Sequence, residues 1–154
     1  MRFHTAYICG NGHAISAKTG DCPYTFCPQC GARIISKCPA CNSVIRGVVD
    51  DTWSFAFDYA VPAYCPDCGK PFPWTVAAIE AASALLDVAP ELAVQDREQF
   101  RKLIPDAVSE TPRTPLAAAL CRKLMDAAGG VVAEALAHFA LNSGCELFRQ
   151  LLQR

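Results

Sequence analysis

A Cys-Pro-x-Cys knuckle occurs three times early in this chain, at Cys27–Cys30, Cys38–Cys41 and Cys65–Cys68, and constrains the fold more than any other feature. In such a turn both thiols point the same way, and backbone N–H groups aimed at the sulfurs offset thiolate charge. The residue after the second cysteine takes a left-handed backbone, which favours glycine and next asparagine. Gly31, Asn42 and Gly69 stand there. Two knuckles make one tetrahedral zinc site, so three knuckles call for a fourth pair. Cys9-Gly-Asn-Gly-His13 supplies it, with glycines in the turn. The predicted ligands are Cys9, His13, Cys27, Cys30, Cys38, Cys41, Cys65 and Cys68, and the predicted cofactor is two structural Zn²⁺ per chain.

Three pairings of these knuckles are open. The sequential one joins Cys9/His13 to Cys27/Cys30 and Cys38/Cys41 to Cys65/Cys68, across gaps of 13 and 23 residues that suit zinc ribbons. A cross-brace would interleave the pairs, and a nested scheme would enclose one within the other. The short Gly31–Lys37 spacer, with a strand-like Arg33-Ile34-Ile35-Ser36, favours the sequential scheme. Cys22 is spare on this count, with replacement of His13 as its alternative role, and His4 reads as a strand or surface residue. Iron at the all-cysteine site and Cys-x-x-Cys redox chemistry are the competing readings. The second needs a thioredoxin-like setting that is absent here.

Composition switches at Pro71-Phe72-Pro73. Residues 1–72 are rich in Gly and Pro with short β-like runs, and read as a double zinc ribbon. Residues 73–154 are rich in Ala and Leu, and read as an α-helical bundle of about four helices. With 52% hydrophobic and 19% charged residues the chain is globular rather than disordered. Seven thiolates and two Zn²⁺ lower the formal charge from −1 to −4, which argues against nucleic acid as a partner. No apolar run of 18 residues and no basic-then-apolar start is visible, so neither a membrane span nor a signal peptide is expected. The expected compartment is the cytoplasm, where thiols stay reduced.

Catalysis is not expected. A catalytic zinc keeps an open position with a Glu or His beside it. This chain has three histidines and no glutamate before Glu80. No phosphate loop, nucleophile elbow or paired-carboxylate motif stands elsewhere.

Thr52-Trp53-Ser54-Phe55-Ala56-Phe57-Asp58-Tyr59 alternates four rings onto one side of a strand. Flanking Asp50, Asp51 and Asp58 oppose a nucleic-acid stacking platform, so the aromatic face is expected to pack on the helical half. In that half, helices are expected from Trp74 to Val88, with Val76, Ile79, Ala82 and Leu86 inward, and from an N-cap at Asp96, with Phe100, Leu103, Ile104, Ala107 and Val108 inward. Pro105 should kink or split the second. A third follows Thr114-Pro115 and ends near Gly129-Gly130. The fourth, from Val131 to Gln153, would run about 34 Å unbroken. Its broad apolar surface fits the centre of the bundle or, as the second choice, a homo-oligomer interface. His138, Cys121 and Cys145 read as packing residues.

Tyr7-Ile-Cys-Gly-Asn-Gly-His13, Phe26-Cys-Pro-Gln-Cys-Gly31, Cys38-Pro-Ala-Cys-Asn42, Ile45-Arg-Gly47 and Ala63-Tyr-Cys-Pro-Asp-Cys-Gly-Lys-Pro-Phe-Pro-Trp-Thr75 together resemble a bacterial zinc-ribbon family, domain of unknown function 2321. The resemblance is close over residues 7–75 and looser at Thr111–Thr114 and Lys123–Met125. It implies the same eight ligands and no counterpart of Cys22, and it implies no activity. The functional expectation is a non-catalytic zinc-binding protein-interaction or adaptor module, with a nucleic-acid-associated zinc-ribbon protein as the alternative.

Overall fold

The computed structural model describes residues 2–18, 20–49 and 59–154. The chain divides into two compact units, Met1–Val76 and Ala77–Arg154.

In the first unit, short strands frame the knuckles. β1 (Phe3–Thr5) pairs antiparallel with β5 (Arg46–Val49), Phe3 opposite Val49 and Thr5 opposite Arg46. β2 (Tyr7–Cys9) is the middle strand of a second sheet, between β3 (Ala14–Ser16) and β4 (Ile34–Ile35), antiparallel to both. β4 falls inside the Arg33–Ser36 run whose β-branched isoleucines favour extended backbone. The core between these pieces is small: Ala6, Ile8, Cys38, Ile45, Cys65, Phe72 and Trp74. Phe72 and Trp74 stack at 4.7 Å, and Trp74 Nε1 donates to the Pro62 carbonyl at 2.8 Å. These two rings explain why the unit extends past the composition switch at Pro71–Pro73. Gly47 is required by close approach, because a Cβ there would lie 2.2 Å from the Ala17 carbonyl oxygen.

The second unit is helical. Its core gathers Leu86, Phe100, Leu103, Ile104, Leu124, Leu136 and Phe148 with smaller residues between them. Its helices are α1 (Pro73–Asp87, which begins in the first unit), α2 (Val94–Val108), α3 (Thr114–Ala127), α4 (Gly130–Asn142) and α5 (Glu146–Gln153). The inward stripe expected on α2 is buried at all five positions. On α1, Ala82 and Leu86 are buried and Ile79 packs beside them, whereas Val76 is exposed.

Three expectations need correction. Asp96 is not an N-cap: α2 starts two residues earlier, and Asp96 sits in its first turn, where a carboxylate suits the helix dipole. Its oxygen pairs with Lys123 Nζ at 3.0 Å. Pro105 does not split α2. It lies in the last turn, only one intrahelical bond is missing, and the buried stripe on either side holds the backbone helical. The long C-terminal helix is broken into α4 and α5, giving five helices among the described residues rather than four. Ser143 is extended at the end of α4, and Cys145, also extended, caps α5 by accepting the Phe148 N–H on Sγ at 3.4 Å. Val131, at the start of α4, is 81% exposed. Among the described residues, no helix is long and apolar enough to cross a membrane.

Candidate metal centres

The three knuckles are copies of one local structure. In each, the residue after the second cysteine returns its N–H to the first cysteine's carbonyl: Gly31 to Cys27, Asn42 to Cys38 and Gly69 to Cys65, each at 2.8 Å. That residue has positive φ in all three, +73°, +64° and +72°. Each first cysteine in turn donates its N–H to the carbonyl five residues on, at Ala32, Ser43 and Lys70. One step further out, isolated bridges close each loop, Phe26 with Arg33, Lys37 with Val44 and Tyr64 with Pro71. The fourth pair is built differently. Cys9 ends β2 and His13 precedes β3, so the hairpin turn itself carries the ligands. The His13 N–H points at Cys9 Sγ, 3.4 Å away. Gly12 turns with φ +88° against Trp74, whose Cβ would be 3.1 Å from an added methyl.

The tertiary fold joins these pairs sequentially, so neither the cross-brace nor the nested scheme occurs. Cys9, His13, Cys27 and Cys30 form one group and Cys38, Cys41, Cys65 and Cys68 the other, with all four ligand atoms of each within 4.8 Å of one another. In the first group Cys9 Sγ lies 3.7 Å from Cys30 Sγ, and His13 Nδ1 lies 3.4 Å from Cys9 Sγ and 3.6 Å from Cys27 Sγ. In the second, Cys38–Cys68 and Cys41–Cys65 are 3.8 and 3.7 Å apart. A tetrahedral zinc with Zn–S of about 2.3 Å and Zn–N of about 2.0 Å needs edges of about 3.8 Å between sulfurs and about 3.5 Å from sulfur to nitrogen. The donor sets and their spacing fit two structural zinc ions. His13 would bind through Nδ1.

The first cysteine of each Cys-x-x-Cys knuckle is buried and the second more accessible. Local hydrogen bonds and neighbouring thiols set the ionisation of the accessible ones. The Ala32 N–H and the Asn11 side chain draw Cys30 down to about 6. The Ser43 hydroxyl, 3.3 Å from Cys41 Sγ, and the Ser43 N–H draw Cys41 down to about 6. Cys68 moves to about 11: the Lys70 N–H favours its thiolate, but burial and the neighbouring thiols outweigh it. Burial raises Cys9 as well. Four sulfurs crowded together cannot all ionise against one another, and a divalent cation at their centre removes that conflict. Ser43 and Asn11 escaped the sequence reading, although their places beside knuckle cysteines were a usable signal.

The remaining candidates lie outside both groups. Cys22 Sγ contacts the Tyr24 carbonyl at 3.5 Å, and His4 lies on β1. Asp67, within the last knuckle, turns to Arg46 at 3.0 Å. His138 is exposed on α4, Cys121 is buried in the helical core, and Cys145 caps α5 as well as packing. The alternating run from Thr52 lies outside the described residues except for Tyr59. Tyr59 packs on the first unit's own core and donates its hydroxyl to the Arg46 carbonyl at 2.7 Å.

Two cysteine-rich ligand clusters on small antiparallel sheets, followed by five described helices, define a metal-binding protein with a helical part. The chain belongs to the family described as "Uncharacterized protein conserved in bacteria (DUF2321)", whose model matches residues 2–151 and so takes in the helical part as well as the clusters. No curated protein and no solved structure matches the chain.

Proposed function

We propose that this chain is a non-catalytic, zinc-stabilised interaction module, with its first unit a double zinc ribbon and its helical unit available to a protein partner in an adaptor or accessory role. The observation that carries this reading is the closure of both clusters. Seven sulfurs and one imidazole nitrogen supply four ligand atoms to each site, which fills a tetrahedral zinc and leaves no position for an activated water. Zinc then supplies folding free energy, not chemistry: the first unit's core has few large side chains, and such units depend on metal. Ten thiols without a disulfide suit a reducing compartment, and we place the protein in the cytoplasm. The net negative charge of the zinc-loaded chain opposes the nucleic-acid alternative.

Native mass spectrometry of the untagged chain, with cobalt substitution, tests the reading. Two zinc ions per chain and a tetrahedral, sulfur-rich cobalt spectrum support it. A five-coordinate cobalt spectrum would overturn the non-catalytic assignment. Binding of oligonucleotides that falls steeply with salt would transfer the chain to the nucleic-acid class.

A further inference from the structure

We infer that the groove between α2 and α3 is the docking site for an acidic amphipathic helix of a partner protein, an inference that rests on the interaction-module reading above. The groove has a volume of about 440 Å³. Its apolar surface comes from Leu103, Leu116 and Leu120, and its charged rim from Lys102, Arg113 and Lys123, with no carboxylate among the lining residues. Leu116 is 58% exposed, a large apolar side chain in the helical unit offered to water beside buried Leu103 and Leu120.

The charge pattern selects the occupant. Residues 73–154 carry ten acidic and eight basic side chains, yet all three charges lining this groove are positive. Arg113 and Lys123 are each paired, with Asp106 at 3.6 Å and Asp96 at 3.0 Å. In both pairs the cation is the accessible partner, 59% against 12% and 63% against 19% exposed, so the carboxylates lie back in the protein and the cations face out. Lys102 has no ion pair among the described residues. An incoming carboxylate therefore meets outward cations.

The length selects the shape. Leu116 to Lys123 covers eight residues of α3, seven steps or about 10 Å at 1.5 Å per residue. That distance matches the i to i+7 row of apolar anchors that a helix presents to a groove. Acidic residues flanking such a row would reach Lys102 on one wall and Arg113 and Lys123 on the other.

The test is a peptide-display selection against the zinc-loaded full-length chain, using a library of 16-residue helical peptides of random surface sequence. Enriched peptides are expected to carry apolar residues at i, i+4 and i+7 and a net negative charge. Fluorescence anisotropy of a selected peptide should show at least tenfold weaker binding to Lys102→Glu and to Leu116→Ser. Both positions are exposed, and unchanged helical circular dichroism with two zinc ions per chain verifies that each variant folds. The proposal is overturned if nothing is enriched, if the enriched peptides are neutral or basic, or if both variants bind as the parent does. It is also overturned if the groove is covered by a second copy of the chain, seen as a dimer in sedimentation that Leu116→Ser dissociates. Retention of two closed zinc sites alongside any of these failures leaves the zinc-module reading standing and removes only the groove.

Discussion

The two units of this chain reach stability by opposite routes. The helical unit buries a continuous set of large side chains, including Phe100, Phe148, Leu86, Ile104, Leu124 and Leu136. The first unit has strands of two to four residues and a core that counts two cysteine ligands among its members. One is held by apolar area removed from water, the other by ligands converging on a cation. Each type of perturbation should therefore strike one unit and spare the other.

The largest effect is expected from metal removal. Structural zinc contributes on the order of 10–16 kcal/mol per site in small zinc-dependent folds, so a strong chelator should unfold the first unit. Trp74 is buried there, and its emission should shift to the red while the helical signal at 222 nm persists. The knuckle thiols should become reactive to iodoacetamide, with Cys121 and Cys145 still protected. Simultaneous loss of both signals would break the comparison. Phe100→Ala is the reverse experiment. A fully buried phenylalanine lost from the helical core should cost about 3–5 kcal/mol in urea unfolding, with zinc content unchanged.

Alkaline pH should separate the units by a different physical cause. Burial pushes the Cys121 thiol up to about 12 from an ordinary value of 9.0. Between these values the unfolded chain gives up the proton and the folded chain keeps it, so stability of the helical unit falls as pH rises from 9 towards 12. The loss should reach roughly a few kcal/mol. Cys121→Ala should flatten that limb of the urea-unfolding profile.

Gly47→Ala sharpens the comparison on the first unit's side. Its new methyl would meet backbone rather than a movable side chain, and about 1–3 kcal/mol of strain is expected, read as tryptophan unfolding at lower urea with the 222 nm transition unmoved. The smallest change belongs to Asp67→Asn. The Arg46–Asp67 pair is solvent-exposed at both ends, so thermal unfolding of the first unit should shift by less than about 1 kcal/mol in stability.

Much of the metal site was legible because a knuckle is a local object. Its turn spans six or seven residues, and the hydrogen bonds from Gly31, Asn42 and Gly69 all close within that span. The buried stripe of α2 was legible for the same reason, since helical periodicity needs no distant partner. Pro105 misled because a proline is judged locally, while packing of the Phe100–Val108 stripe outweighed it, and Asp96 misled because α2 begins two residues earlier, at a start that no side chain caps. The break at Ser143–Cys145 was hidden by the apolar pattern continuing on either side of it.

By itself the sequence determined which atoms can bind metal and which segments turn, extend or coil, because those choices depend on neighbours a few residues away. Tertiary structure alone decided which knuckles share an ion, why position 47 admits no side chain, and how Lys102 on α2 comes to line one groove with Arg113, just before α3, and Lys123 on α3. These features bring together groups far apart along the chain, and only the balance of burial, hydrogen bonding and charge in the folded whole selects such contacts.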